Sequence, residues 1–415
     1  MEYLPRVVDD EVQVRLGSAG AVVIDGPKAC GKTETARRQA ASEVLLDVDV
    51  QARQAALIDP ELLLDGPVPR LLDEWQTLPA LWNHVRRAVD ARGSPGQFLL
   101  TGSATPIDDV TRHTGAGRFS RVRMRPMSLF EAGRSSGQIS LRGLLDGAAT
   151  RSEGGALVLD KLLDAVIRGG WPALREVPLD AASLLVRDYL DQIGRTDIVA
   201  ADGVRRDPVR VAAVLASLAR NVGTPAPLTR IAADASGGVA AVTDDTVADY
   251  IQALERVMVI EQVPAWNTHL RSKRRLRTTP VRQFVDPSLA VAALRAGPAA
   301  LRADLNFFGF VFESMVVRDL RVYAQPLGGE VFCYRDSANR EVDAVIDCGD
   351  RWALFEIKLG AGLVDDAARQ LLAVAGDVDA SKRGPPALLA VITGGGYGYV
   401  RPDGVHVVPI SSLGP

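Results

Sequence analysis

Cysteine is scarce in this chain. Cys30, Cys333 and Cys348 are the three present in 415 residues, and their spacing fits no metal-binding pattern. A chain of this length buries enough core to dispense with disulfides, so a reducing cytoplasm is the expected compartment. Long apolar runs are also missing: no stretch approaches the length of a membrane span. The opening Met1-Glu2-Tyr3-Leu4-Pro5-Arg6 has neither the basic start nor the apolar centre of a signal peptide. No membrane partner is expected. Charge of either sign is in little excess, the net value being −3. That excludes attraction of nucleic acid by a global field and leaves the task to local patches. What remains is ordinary globular composition, 47% hydrophobic and 24% charged, with length for two to four domains.

Against that plain background one segment stands out. Gly26-Pro27-Lys28-Ala29-Cys30-Gly31-Lys32-Thr33 fits G-x-x-x-x-G-K-[ST]. It follows the apolar stretch Ala21–Asp25, which reads as a buried strand, and precedes a helical stretch over residues 33–41. Gly26 and Gly31 allow the backbone to wrap a polyphosphate with its N–H groups inward. The positive end of the helix favours the anion. Lys32 supplies a charge to the β- and γ-phosphates, and Thr33 a hydroxyl to Mg²⁺. ATP and Mg²⁺ are the expected cofactors. Cys30, at a permissive position of the motif, reads as filler rather than as a redox-sensitive thiol.

A second motif strengthens the first. In Pro69-Arg70-Leu71-Leu72-Asp73-Glu74-Trp75-Gln76, an apolar strand ends in adjacent carboxylates. Asp73 suits the Mg²⁺ hydration shell, and Glu74 suits the general base that polarises the attacking water. A third strand runs into Thr101-Gly102-Ser103, where Ser103 is positioned to sense the γ-phosphate or the water, because open α/β sheets bind ligands at such strand ends. Strands expected near 21–25, 44–48, 69–73, 97–102 and 121–125 alternate with helices at 32–41 and 80–92, which argues for a parallel α/β sheet. Arg118, on the glycine-rich loop Thr114-Gly115-Ala116-Gly117-Arg118-Phe119, has two readings. It supplies charge to the γ-phosphate, in cis or from a neighbouring subunit of a homo-oligomer, or it is a solvated or structural arginine.

Downstream the pattern changes. Residues 128–200 read as mainly helical, with Leu159, Leu162, Leu163, Val166 and Ile167 at helical spacing, and suit a lid over the nucleotide. Three short helices followed by a strand at 257–263 have the order of a winged helix-turn-helix, although Asp244, Asp245 and Asp249 on the third helix repel phosphate. Arg271, Lys273, Arg274, Arg275 and Arg277 form the densest basic run and fit either a DNA or RNA backbone or a solubilising loop. No aromatic residue interleaves with them, which removes a stacking platform. In the last domain, Asp343, Glu356 and Lys358 give a D-x(n)-E-x-K arrangement. Strand alternation puts Glu356 and Lys358 on one face with Ile357 opposite. Two acids so placed can hold Mg²⁺ while the lysine activates a water for phosphodiester cleavage, and Glu313 can add a ligand from a helix. A buried ion-pair network is the competing reading.

The motifs GPKACGKT, LLDEWQ, FLLTGSA, GAGRF, RPMSLFE, GGWP, FVDPSLA, FES, EVDAVI and FEIK occur in this order. In that order the chain resembles the prokaryotic AAA-type ATPases of the archaeal-ATPase kind. Those join an N-terminal ATPase to a C-terminal domain of unassigned function that resembles PD-(D/E)XK nucleases. The resemblance covers nearly the whole chain. It implies an α/β protein with four parts: a P-loop AAA-type ATPase core (1–130), a helical lid (131–200), a winged-helix middle domain (201–280) and a restriction-endonuclease-like α/β domain (281–415). Gly31, Lys32, Thr33, Asp73 and Glu74 match the ATPase motifs, and Glu313, Asp343, Glu356 and Lys358 the nuclease-like ones. One departure stands: the usual Pro-Asp is replaced by Glu341-Val342-Asp343. The function expected is a Mg-dependent ATPase whose nucleotide state controls a C-terminal module that handles DNA or RNA. The alternative is a signalling or scaffolding ATPase with an inert nuclease-like domain that binds a protein partner.

Overall fold

Strands β1 (Ala21–Asp25), β2 (Ser42–Leu45), β3 (Arg70–Asp73), β4 (Phe98–Gly102) and β5 (Phe119–Arg123) form one parallel sheet in the order β2-β3-β4-β1-β5. Every predicted strand of this region is present, with ends displaced by a few residues. β1 and β4 are buried along their whole length, which is why they read as continuous apolar runs and not as alternating ones. Val23, Leu72 and Leu100 face a core with Trp75, Trp82 and Val85. Val22, Ile24, Leu71 and Leu99 face the opposite one, with Val8, Val12 and Leu16. The helix Val8–Leu16, unforeseen in the sequence, buries those last three residues at a spacing of one turn. Because the strands are parallel, their C-terminal ends share one edge. That edge carries Gly26, Asp73 and Ser103.

The computed structural model describes residues 3–104, 114–153, 159–237, 242–267, 279–336 and 340–415. Two compact units divide the chain. The first comprises Met1–Pro126 with the returning segments Arg195–Arg205 and Gln252–Val259; the second comprises Met127–Gly194, Arg206–Ile251 and Ile260–Pro415.

In the second unit, β6 (Ile139–Ser140) will pair with the chain's last strand. Helices Leu159–Arg168, Leu179–Gln192, Pro208–Arg220 and Leu228–Ala235 follow. The helix Asp244–Arg256, which belongs to this unit as far as Ile251, leads to β7 (Ile260–Val263), which pairs antiparallel with β8 (Val281–Phe284). Next come helices Pro287–Ala293 and Leu305–Ala324, then β9 (Glu330–Arg335), β10 (Glu341–Asp347), β11 (Trp352–Lys358), β12 (Leu388–Thr393), β13 (Tyr399–Val400), β14 (His406–Pro409) and β15 (Leu413–Gly414), the partner of β6. Six of these strands make a mixed sheet, β13-β14-β12-β11-β10-β9. The helix Val364–Asp377 covers it with Ala367, Ala368, Leu371 and Val374, packed among Val345, Leu354 and Val391. No helix among the described residues is long and apolar enough to cross a membrane.

Three motifs quoted above converge in this unit on a buried ionic knot. Arg318 donates to Asp286 (2.8 Å) and Asp319 (2.7 Å), all three side chains being essentially inaccessible. Asp286, from FVDPSLA, also accepts from the Gly170 N–H of GGWP (2.9 Å), and Asp319 accepts from the Leu129 N–H of RPMSLFE (3.0 Å). Only glycine fits at 170, since a Cβ there would stand 2.1 Å from the Met127 carbonyl oxygen. These motifs therefore hold the unit together.

Candidate nucleotide site and C-terminal acid–lysine cluster

The P-loop runs from the end of β1 into the helix Lys32–Gln39. Ala29 (φ +61°) and Gly31 (φ +103°) take left-handed backbone, the alternation that turns successive N–H groups toward one concavity. A Cβ on Gly26 would lie 2.3 Å from the Met124 carbonyl oxygen, so the loop can pass the neighbouring chain only as glycine. Lys32 is buried and its Nζ donates to the Pro27 carbonyl oxygen (2.8 Å). The cradle fits a polyphosphate. Its donor set also fits Mg²⁺: the Thr33 hydroxyl donates to the Asp73 carboxylate (3.0 Å), bringing two hard oxygen ligands together. Burial pushes the Asp73 carboxyl upward, opposed by hydrogen bonds from Thr101 and Thr33.

Glu74 sits in left-handed backbone (φ +53°), anchored by its N–H to the Thr101 hydroxyl (3.2 Å). Its Oε2 accepts from Ser103 (3.0 Å) and from the Gln76 amide, and Gln76 also donates to Ser103 (3.2 Å). Thus Lys32, Thr33, Asp73, Glu74 and Ser103 come together at one edge. Thr101 and Gln76 complete the group without having been assigned roles, although Gln76 stands within the motif that named Asp73 and Glu74. Lys28 points elsewhere, into an ion pair with Asp197 (2.7 Å) on the segment that returns to this unit. Nothing in the sequence near Asp197 signals that contact.

Arg118 requires a correction. Its carbonyl oxygen accepts from the Ala21 N–H at the start of β1 (3.1 Å). The P-loop follows the other end of that strand, about 13 Å away at 3.3 Å per residue. The guanidinium pairs with Asp90 (2.8 Å). The in cis role is thereby removed. Toward the P-loop end of β5, Arg121 pairs with Asp25 (2.6 Å) just before Gly26, and Arg123 stands in register with Asp25.

In the C-terminal sheet, Glu356 and Lys358 share a face of β11 as expected. Asp343 lies on β10 where its register with β9 shifts, a local irregularity that re-aims a side chain. Lys358 Nζ bridges Asp343 (3.1 Å) and Glu356 (2.5 Å), and Asp343 also accepts from the Ile357 N–H (2.7 Å). Gln370 donates to Glu356 (3.2 Å). Glu313, on the helix Leu305–Ala324, lines a pocket with Asp343. Burial, then the Asp343 charge, pushes Glu313 well above the usual carboxylate range. The expected metal cluster of Asp343, Glu356 and Glu313 is not formed. Among the described residues no group of three or more His, Cys, Asp or Glu side chains is arranged to hold a metal ion. The lysine occupies the space between the two acids.

Glu356 is pushed up to about 8, chiefly by burial and then by the Asp343 charge, with Lys358 opposing. A carboxyl raised in the folded state favours folding fully below its unfolded value of about 4.3, and that contribution is lost as pH rises through 8. The wild-type melting temperature is therefore expected to fall between pH 5 and 9 relative to that of Glu356→Gln. Parallel melting curves across that range would show that the carboxyl ionises normally.

The helices Pro208–Arg220, Leu228–Ala235 and Asp244–Arg256 and the β7–β8 ladder appear in the expected order. On the third helix Asp249 is taken by Arg206 (2.9 Å). The basic run of Arg271, Lys273, Arg274, Arg275 and Arg277 lies outside the described residues.

Comparison with known proteins divides the chain in three. Residues 159–300 match the Domain of unknown function (DUF8612), and residues 308–413 match the Domain of unknown function (DUF4143). Uncharacterized proteins of Mycobacterium bovis and Mycobacterium tuberculosis are each 23% identical over 403 residues, 96% of this chain and 82% of theirs. Among solved structures, the Walker-type ATPase PABY2304 of Pyrococcus abyssi is 12% identical with a TM-score of 0.40, covering 69% of this chain and 94% of its own. Residues 18–133 match the AAA domain. Joined to the P-loop and the Asp73–Glu74 strand end within those bounds, that match makes the N-terminal region an AAA-type P-loop ATPase domain.

Proposed function

We propose that this protein binds and hydrolyses Mg-ATP and that the nucleotide state governs what its C-terminal domain engages. The observation that carries the reading is the meeting of Lys32, Thr33, Asp73 and Glu74 at one sheet edge. When bound, Mg²⁺ supplies charge to the phosphates. The chain's own residues do the rest: the 26–31 backbone and Lys32 hold phosphate oxygens, Thr33 and Asp73 hold the metal's shell, and Glu74 takes a proton from water steered by Ser103 and Gln76. Full-length protein is expected to release phosphate from ATP with Mg²⁺ and to stop when EDTA is added. Phosphate release that persists in EDTA counts against the metal assignment.

For the C-terminal domain, the Lys358 bridge favours the signalling or scaffolding reading, in which the nuclease-like fold is inert and binds a protein partner. A lysine held between two acids forms a closed ion-pair network. The second reading, a metal-dependent nuclease licensed by ATP, rests on the Asp343, Glu356 and Lys358 spacing and on the basic run. Incubation with DNA and RNA panels, with and without Mg²⁺, Mn²⁺ and ATP, separates the two. Cleavage lost in Asp343→Ala would reinstate the nuclease.

Arg118 retains a role only from a neighbouring subunit. ATPase activity per protomer should then rise with protein concentration, and mixing Arg118→Ala with Lys32→Ala should restore part of it. A rate independent of concentration, with no complementation, leaves Arg118 as the structural partner of Asp90.

A further inference from the structure

We propose that the pocket beside Glu313 receives a guanidinium group, carried by an arginine in a segment of a partner protein. This rests on the protein-partner reading of the C-terminal domain. The pocket encloses about 140 Å³ between the helix Leu305–Ala324, β8, β9, β10 and the turn at Gly223. Its charged walls are mostly satisfied from within. Glu341 pairs with Arg335 (3.1 Å), and Asp343 with Lys358 (3.1 Å).

Two groups are not satisfied. The Glu313 carboxyl has no hydrogen-bond or ion-pair partner among the described residues, and it faces the same cavity as Gln283. Gln283 is 4% exposed, and its Oε1 is buried without a partner among the described residues. Leaving a buried acceptor unmade costs about 1–3 kcal/mol, so the ligand that fits best is the one that supplies donors. Both groups are acceptors, and one is an acid. The complement is therefore cationic and rich in N–H groups.

Phosphodiesters fail this test, because they bring only acceptor oxygens to two groups that need donors. An ammonium is a compact point charge. A guanidinium offers five donors in a planar fork, which can reach a carboxylate and an amide oxygen at once, and its flat faces stack on aromatic rings. Phe310, itself 41% exposed, and Tyr334 provide rings in the lining.

The test is a fluorescence-anisotropy titration of the full-length protein, without ATP. The probe is a short labelled peptide holding one arginine among glycine and serine. Matching peptides carry citrulline or lysine instead, and a labelled single-stranded oligonucleotide is the fourth arm. Saturable binding of the arginine peptide is expected, with binding weakened about tenfold or more by citrulline and by either Glu313→Gln or Gln283→Leu. The lysine peptide should fall between. Melting curves identify a variant that has not folded, and the citrulline comparison tests the same contact on the unmodified protein. Equal binding of the arginine and citrulline peptides overturns the proposal, as does undiminished binding by folded Glu313→Gln. Binding of neither peptide nor oligonucleotide removes this inference and leaves the partner reading standing. Oligonucleotide binding that Glu313→Gln abolishes removes both.

Discussion

Glu74→Gln is expected to bind ATP as tightly as the unmodified protein while hydrolysing it about a hundredfold more slowly or worse, the span assigned to a positioned general base. The substitution preserves the shape of the side chain and a carbonyl oxygen for the Ser103 and Gln76 donors, which hold Glu74 Oε2 in place. It removes the negative charge and, with it, the ability to accept a proton. The backbone tether from Glu74 N–H to Thr101 is untouched, so the strand end keeps its geometry. Lys32→Ala should do the reverse and lose binding. Its ammonium rests on the Pro27 carbonyl oxygen (2.8 Å), a neutral acceptor that a charged phosphate oxygen outcompetes. Fluorescent-nucleotide titration and phosphate release, run on both variants, check the pair. A Glu74→Gln protein that turns over at the unmodified rate means that another group takes the proton.

The ATPase half was legible because its signals are local and of one kind. A continuous apolar strand, a glycine-rich turn and a helix start occupy adjacent residues, and parallel strands collect their carboxyl ends without further information. The same logic bears on Arg118. A loop that precedes a parallel strand lies at the opposite edge from a loop that follows one, so its distance from the P-loop was implicit once residues 121–125 were read as a strand. Asp197 differs. No spacing rule relates it to Lys28, because the contact depends on where a distant helix returns. In the C-terminal domain, strand alternation placed Glu356 and Lys358 on one face, which the backbone bears out. That Lys358 closes over Asp343 and Glu356, and that the Glu313 carboxyl and the Gln283 Oε1 have no partner among the described residues, follows from packing among four elements. Periodicity along one strand carries none of that.

Arg318→Met should produce a large loss of stability in the second unit. It leaves Asp286 and Asp319 buried without their cation, and breaking a buried ion pair from one side costs about 3–5 kcal/mol. At roughly 2–4 °C per kcal/mol for a unit of this size, the melting transition should fall by about 10 °C. The carboxylates are not isolated. Asp286 also receives the Gly170 N–H and Asp319 the Leu129 N–H, so losing the arginine loosens two backbone segments as well as one side chain. Burial already pushes the Asp319 carboxyl up to about 6 against the opposing pull of Arg318. Without the arginine it should stay protonated at neutral pH. Arg318→Lys keeps the charge but cannot fork to both acids, and should fall between the two. Combining Arg318→Met with Asp286→Asn and Asp319→Asn should recover part of the loss, since the uncompensated charges are gone and amide oxygens still face the two N–H groups. Calorimetry on the full-length chain reads all three variants. If Arg318→Met melts with the unmodified protein, the knot is not what holds these motifs together.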